Sequence, residues 1–118
     1  MIKTQVPERG DVYLIDPDPQ GRDLKNHRRF IVITRSEINQ LGAASTVPVS
    51  KGSTFSQSTG ITVAIHGYDT TGVAVCNQVR TFDIADKLRQ GSAKFVERLN
   101  DNIMMEIINR VVSIIDPA

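Results

Sequence analysis

Asn26-His27-Arg28-Arg29-Phe30-Ile31-Val32-Ile33-Thr34 runs a cationic cluster straight into an apolar segment. Phe30 to Ile33 has no polar interruption, which is the pattern of a strand buried on both faces. His27, Arg28 and Arg29 are consecutive groups that donate hydrogen bonds to anions such as phosphate. The charges therefore sit at the mouth of a rigid core element. Taken alone, the cluster also fits a solvated loop in front of a core strand, the usual fate of surface arginines.

Outward from this stretch, punctuation divides the chain into short elements. Toward the N-terminus, Arg9-Gly10-Asp11 reads as a turn and Val12 to Ile15 as a strand, and residues 1–8 read as a loose tail. Asp16-Pro17-Asp18-Pro19-Gln20-Gly21 must leave that strand, because two prolines and a glycine break the ladder. Arg22 to Asn26 follows as a polar loop, and Phe30 to Thr34 is the second strand. Ser36 to Leu41 is one helical turn closed by Gly42, and Ser45 to Val49 is a third strand. Strands are also expected over Gly60 to Ile65 and Gly72 to Cys76, the latter continued by Asn77 to Asp83. Ile84 to Gln90 reads as a short helix ended by Gly91, and Ala93 to Leu99 as a last strand. Asn100 is placed to cap a helix from Asp101 to Ile115, with Pro117 as its stop. Ile103, Ile107, Val111 and Ile114, flanked by Met104, Ile108, Val112 and Ile115, make a wide apolar stripe that would lie on the sheet. Many short strands and one terminal amphipathic helix predict an α+β fold, mainly β, built on a small antiparallel barrel.

The chain has 118 residues, 40% of them hydrophobic, which suits a single domain over residues 1–118 with a real core. Its charge is balanced at +1, which excludes a strongly basic nucleic-acid coat protein but not a local basic patch. Cys76 is the single cysteine, so no internal disulfide forms and a reducing, cytoplasmic setting is expected. Residues 1–10 carry no signal-like apolar core, and no run is long enough to span a bilayer. With no Trp, two Tyr and four Phe, the chain is poorly supplied for stacking many bases in a row.

Chemistry is found mostly by elimination. Two histidines and one cysteine show no metal-ligand spacing, so no metal and no cofactor are expected. Asp16 and Asp18 read as turn formers, and Cys76 as inert filling in an apolar strand. There is no P-loop and no nucleophile elbow. What remains is cationic and hydroxyl-bearing: His27, Arg28 and Arg29, then Ser50, Lys51, Ser53 and Thr54, with Gln78 and Arg80. That set suits a phosphodiester. RNA carries its own nucleophile, the 2′-hydroxyl. A protein need only move protons and neutralise charge building on phosphorus.

Four stretches, in order, resemble the PemK/MazF family of toxins. They are Arg9 to Pro19, His27 to Ile33, Thr46-Val47-Pro48-Val49-Ser50, and Thr71-Gly72-Val73-Ala74-Val75-Cys76-Asn77-Gln78-Val79-Arg80-Thr81-Phe82-Asp83. The segment from Gly52 to Ile61 is similar to the PemK (Kid) and ChpB branch. The resemblance implies an SH3-like antiparallel barrel of the CcdB/Kid/MazF type, with a C-terminal helix, in a homodimer. It implies a metal-independent endoribonuclease that cuts single-stranded RNA, chiefly mRNA, at selected sequences and arrests growth. A cognate MazE/PemI-like antitoxin would cover the site, and the complex would bind operator DNA.

The family's site residues carry over position by position. Arg28 takes the place of the catalytic arginine, a poor base but a good planar clamp on a phosphorane. Ser50 falls on the catalytic threonine, although it could be a turn residue. His27 falls on a histidine near the scissile bond, and Asp23 on an acidic loop residue. Arg29, where most members have proline, adds field. Lys51, Ser53, Phe55, Asn77, Gln78 and Arg80 complete an expected RNA-binding set. The chain departs from the PemK branch at its R-C-D-Q stretch, which here is Val75-Cys76-Asn77-Gln78. Val75 and Asn77 cannot supply that branch's arginine and aspartate, so Arg28 and Ser50 become central, with His27 or Asp23 moving protons. Two other readings compete. One is a CcdB-like gyrase poison, disfavoured by an end in Ile115-Asp116-Pro117-Ala118 in place of W-G-I. The other is a non-catalytic toxin that still binds antitoxin or RNA.

Overall fold

A computed structural model describes residues 6–20, 24, 26–51 and 60–116. Asp23, Ser53 and Phe55, the first five residues and Pro117 lie outside the described residues. The described elements run β1 (Asp11–Ile15), β2 (Arg28–Val32), α1 (Ser36–Asn39), β3 (Ala44–Ser50), β4 (Thr62–Ile65), β5 (Gly72–Val75), β6 (Arg80–Phe82), α2 (Ile84–Gln90), β7 (Ala93–Arg98) and α3 (Asp101–Ile115).

All pairings are antiparallel, in the order β4-β5-β3-β2-β1-β7, with β6 also on β3. This bent sheet, with helices on its two faces, matches the α+β, barrel-like class expected from the sequence. The central strands β1, β2 and β3 are apolar without alternation because both faces are covered. Val12, Ile31, Val47 and Val49 point into one core, which α3 closes with Met104, Ile107 and Val111. Tyr13, Ile15, Phe30 and Val32 point into a second, which α2 closes with Ile84 and Leu88.

Local chemistry sets the ends of these elements. Asn100 Oδ1 accepts the Ile103 N–H at 3.0 Å and caps α3. Asp83 caps α2 by accepting the Asp86 N–H at 3.0 Å, and Gly91 ends it in the left-handed region at φ 77°. Asp16 and Asp18 are turn formers, each accepting an N–H two residues on.

Three expectations need correction. First, β2 begins at Arg28, two residues before Phe30, and ends at Val32. A strand end can hold two arginines because each leaves by its own face. Second, β5 and β6 are not one continuous strand. Between the pairs Thr46↔Arg80 and Val49↔Ala74, β3 advances three residues while its partner advances six. The extra residues loop out around Cys76–Val79 and leave Asn77, Gln78 and Val79 exposed. Third, the apolar stripe of α3 is wider than the face it covers. Met104, Ile107 and Val111 are buried, but Val112, Ile114 and Ile115 remain exposed.

A buried carboxylate ties the chain start to β7. Asp11 is fully buried and accepts from Arg98 Nε at 2.7 Å, from the Glu8 N–H at 2.9 Å and from the Tyr13 hydroxyl. Burial first, and then the Asp11 charge, push the Tyr13 hydroxyl well above its ordinary range, so it stays a donor. Arg98→Gln should cost about 2 kcal/mol, less than for a fully buried pair because Arg98 is half exposed. Urea unfolding would measure it, and an unchanged midpoint would refute the role given to this pair.

Candidate RNA-cleavage site

The two arginines that open β2 part company. Arg28 shares the face of Phe30 and Val32, and Arg29 shares that of Ile31, because side chains alternate along a strand. The Arg28 guanidinium carbon lies 6.0 Å from the centre of the Phe30 ring. Arg29 turns the other way. Its Nη1 donates to Thr70 Oγ1 at 2.7 Å and lies 3.9 Å from Glu97 Oε2.

Ser50 ends β3 on the Arg28 face. The β2–β3 register pairs Phe30 with Pro48. The printed pairing ends there, and Arg28 and Ser50 each lie two residues beyond it, on the face of Phe30 and Pro48 by strand alternation. On the other edge of β3, Ser50 pairs with Val73. Lys51 follows and is exposed.

A further pair of cations reaches the same face from β6 and α2. The Arg80 guanidinium carbon lies 5.1 Å, and Lys87 Nζ 6.0 Å, from the centre of the Phe82 ring. Phe82 itself packs edge-on against Phe30, with centroids 4.9 Å apart. One buried aromatic pair therefore underlies three cations from three elements. Arg80 donates to the Pro17 carbonyl at 3.4 Å, and Lys87 to the Asp16 and Asp18 carbonyls at 2.8 and 3.1 Å. These partners are neutral oxygens, so they orient the cations without cancelling their charge. Among the described residues, Arg29, Arg35, Arg89 and Arg98 each meet a carboxylate within 4.0 Å, whereas Arg28, Arg80 and Lys87 do not. An un-neutralised cationic rim on a rigid floor fits a polyanion.

His27 is exposed at the edge of this rim. Its Nδ1 meets the Leu24 carbonyl at 2.5 Å. A carbonyl only accepts, so Nδ1 carries a proton, and the tautomer this selects for a neutral ring has its lone pair on Nε2. Asn77 and Gln78 stand exposed on the loop beside β3. The described residues bring together no three of His, Cys, Asp or Glu as a metal-ligand group. Lys87 and the Phe30–Phe82 floor were not found by reading the sequence, because Phe82 follows Phe30 by more than fifty positions and nothing local marks Lys87.

Residues 8–115 match the family model described as the PemK-like, MazF-like toxin of type II toxin–antitoxin systems. The chain belongs to this toxin family. The toxin is 34% identical to Endoribonuclease PemK of Escherichia coli over 112 residues, covering 92% of this chain and 81% of the relative. It is 30% identical to Endoribonuclease toxin ChpB of Escherichia coli K12, covering 98% of this chain and all of the relative. The fold is also that of MazF in a MazE–MazF complex from Deinococcus radiodurans, with a TM-score of 0.73 at 15% identity, over 94% of this chain and 97% of the other. No helix among the toxin's described residues is long and apolar enough to cross a membrane.

Cys76, in the loop between β5 and β6, packs in the core that α3 closes and takes no part in the rim. It is buried, and that burial pushes its thiol up to about 11. It therefore stays protonated at neutral pH and gains thiolate character only as pH rises toward that value. A thiol reagent at pH 8 should label the native toxin far more slowly than the urea-unfolded chain. Equal labelling rates would contradict this burial.

Proposed function

We infer that the toxin is an endoribonuclease that cuts single-stranded RNA, chiefly mRNA, by attack of the 2′-hydroxyl on the adjacent phosphate. Family membership and two relatives named endoribonucleases support the activity. What supports the site is that strand alternation puts Arg28 and Ser50 on one face, beside cations that meet no carboxylate among the described residues.

In this reading Arg28 clamps the non-bridging oxygens as negative charge builds on phosphorus. The Ser50 hydroxyl donates to one of those oxygens. Neutral His27 uses Nε2 to take the proton of the 2′-hydroxyl. The 2′ oxygen bonds to phosphorus, and the bond to the 5′ oxygen breaks. The products are a 2′,3′-cyclic phosphate and a 5′-hydroxyl, whose proton comes from Asp23 or solvent. Arg80, Lys87 and Lys51 hold neighbouring phosphates, and Asn77, Gln78, Ser53 and Phe55 meet the bases. The arginine–aspartate arrangement of the PemK branch has no counterpart at Val75 and Asn77.

The same reading makes the toxin a single cytoplasmic domain that acts as a homodimer. A MazE/PemI-like antitoxin neutralises it, and their complex binds operator DNA. The MazE–MazF complex of like fold supports the antitoxin.

Purified toxin incubated with a long mixed-sequence RNA in EDTA should give a few discrete cuts ending in 2′,3′-cyclic phosphate. Intact RNA, with binding retained, would establish a non-catalytic toxin instead. Cutting that needs added divalent metal would overturn the metal-free mechanism.

A further inference from the structure

We propose that Arg29, Thr70 and Glu97 form a bracket on the back of the sheet that fixes Arg28 relative to Ser50, so that Arg29 is a positioning residue and not an RNA contact. The proposal rests on the cleavage reading above.

The bracket joins three segments distant in sequence. Arg29 Nη1 donates to Thr70 Oγ1 at 2.7 Å, a bond between residues 41 apart. Glu97 of β7 accepts the Thr70 N–H at 2.7 Å and the Asp69 N–H at 3.3 Å. Its carboxylate also lies 3.9 Å from Arg29 Nη1. Thr70 is fully buried, and the bracketing side chains of Arg29 and Glu97 are 27% and 18% exposed. To reach a phosphate on the rim, Arg29 would have to leave a buried hydroxyl and a carboxylate and cross to the other face. That costs desolvated partners on both sides.

Each arm of the bracket leads directly to one residue of the site. Arg29 is bonded through the backbone to Arg28, so pinning its side chain fixes the entry of β2 and hence the base of the Arg28 side chain. Thr70 stands two residues before Gly72. Gly72 has φ 121° and packs its Cα so closely on Ser50 that an added Cβ would overlap the Ser50 carbonyl oxygen. The next residue, Val73, is the ladder partner of Ser50. One hydrogen bond thus couples the strand bearing Arg28 to the strand holding Ser50, from the side that RNA does not occupy. A displacement of about 1 Å between two reacting groups can cost a hundredfold in rate.

The test uses full-length toxin carrying Arg29→Gln, Thr70→Val, Glu97→Gln, and the Arg29→Gln/Glu97→Gln pair. Single-turnover cleavage should fall about 10- to 100-fold in each single variant. The pair should be no worse than the more damaged single, because both act through one unit. The salt dependence of RNA binding should match wild type in all of them. The proposal is overturned if Arg29→Gln flattens the salt slope by about 0.7, the signature of a lost phosphate contact to a single strand. It is also overturned if folded variants cut at the wild-type rate while only their melting temperatures fall. Thr70→Val keeps the backbone bond to Glu97 and nearly the same volume, so it decides the matter should the charge variants not fold. Wild type and Arg28→Ala are measured alongside. If wild type leaves RNA intact, the cleavage reading fails and the bracket with it. If wild type cuts, Arg28→Ala does not, and the bracket variants cut normally, the function stands and the bracket alone falls.

Discussion

Arg28→Ala is expected to lower the RNA cleavage rate about a thousandfold, the scale seen when one preorganised donor to developing charge is removed. The fold should survive the change. Arg28 is exposed, it meets no carboxylate among the described residues, and its contact with the Phe30 ring at 6.0 Å contributes under about 1 kcal/mol. Arg28→Lys should recover little of the rate, because an ammonium cannot hold two phosphoryl oxygens with a planar fork. Single-turnover kinetics on a defined RNA, with melting curves as a control, would check this. A variant that cuts within threefold of wild type would remove Arg28 from the chemistry and leave Arg80 and Lys87 as the cations to examine. The same variant should also be better tolerated in cells than wild type, since growth arrest follows from cleavage in the proposed function.

Gly72→Ala should lose about 3 kcal/mol of stability, combining a left-handed backbone that L side chains resist with direct overlap on the Ser50 carbonyl. For a domain of this size that is a fall of roughly 10 °C in melting temperature. The overlap is with backbone, which cannot swing aside as a flexible side chain would. Relief requires β5 to move off β3 at the pair Ser50↔Val73. Cleavage by the fraction that remains folded should therefore fall as well. An alanine variant that melts with wild type would show that β5 has room to shift, and that Ser50 is not held from this side. Gly42→Ala is a useful contrast: φ is 129° there too, but an added Cβ meets nothing within 4 Å, so only the backbone strain is added.

Much of the fold was legible in the chain itself, for identifiable reasons. The unbroken run Phe30 to Ile33 marked a strand covered on both faces, and the two cores on either side of β2 are why it has no polar alternation. Caps are local, so Asn100 and Gly91 announced helix ends. The ordered motifs carried the family. Where the reading went astray, the cause was tertiary. The looped-out residues near Cys76–Val79 arise because β5 and β6 use different registers on one strand, and a register is not written in either strand alone. The uncovered side of α3 shows that an apolar stripe gives a direction but not the width of the surface it meets.

The cationic stretch divides along the same line. Its residue types determined that something anionic could be held at the mouth of β2. Composition and motif order pointed to RNA. They gave Arg28 the chemistry and Arg29 only field, and left both at the same mouth. Only the folded sheet put them on opposite faces, because consecutive side chains on a strand face opposite ways. One face supplied the Phe30–Phe82 floor with Arg80 and Lys87, and the other supplied Thr70 and Glu97. Those partners come from β6, α2, β7 and the turn before β5, each far from the stretch in sequence. Their arrival is a matter of packing, which no local pattern encodes.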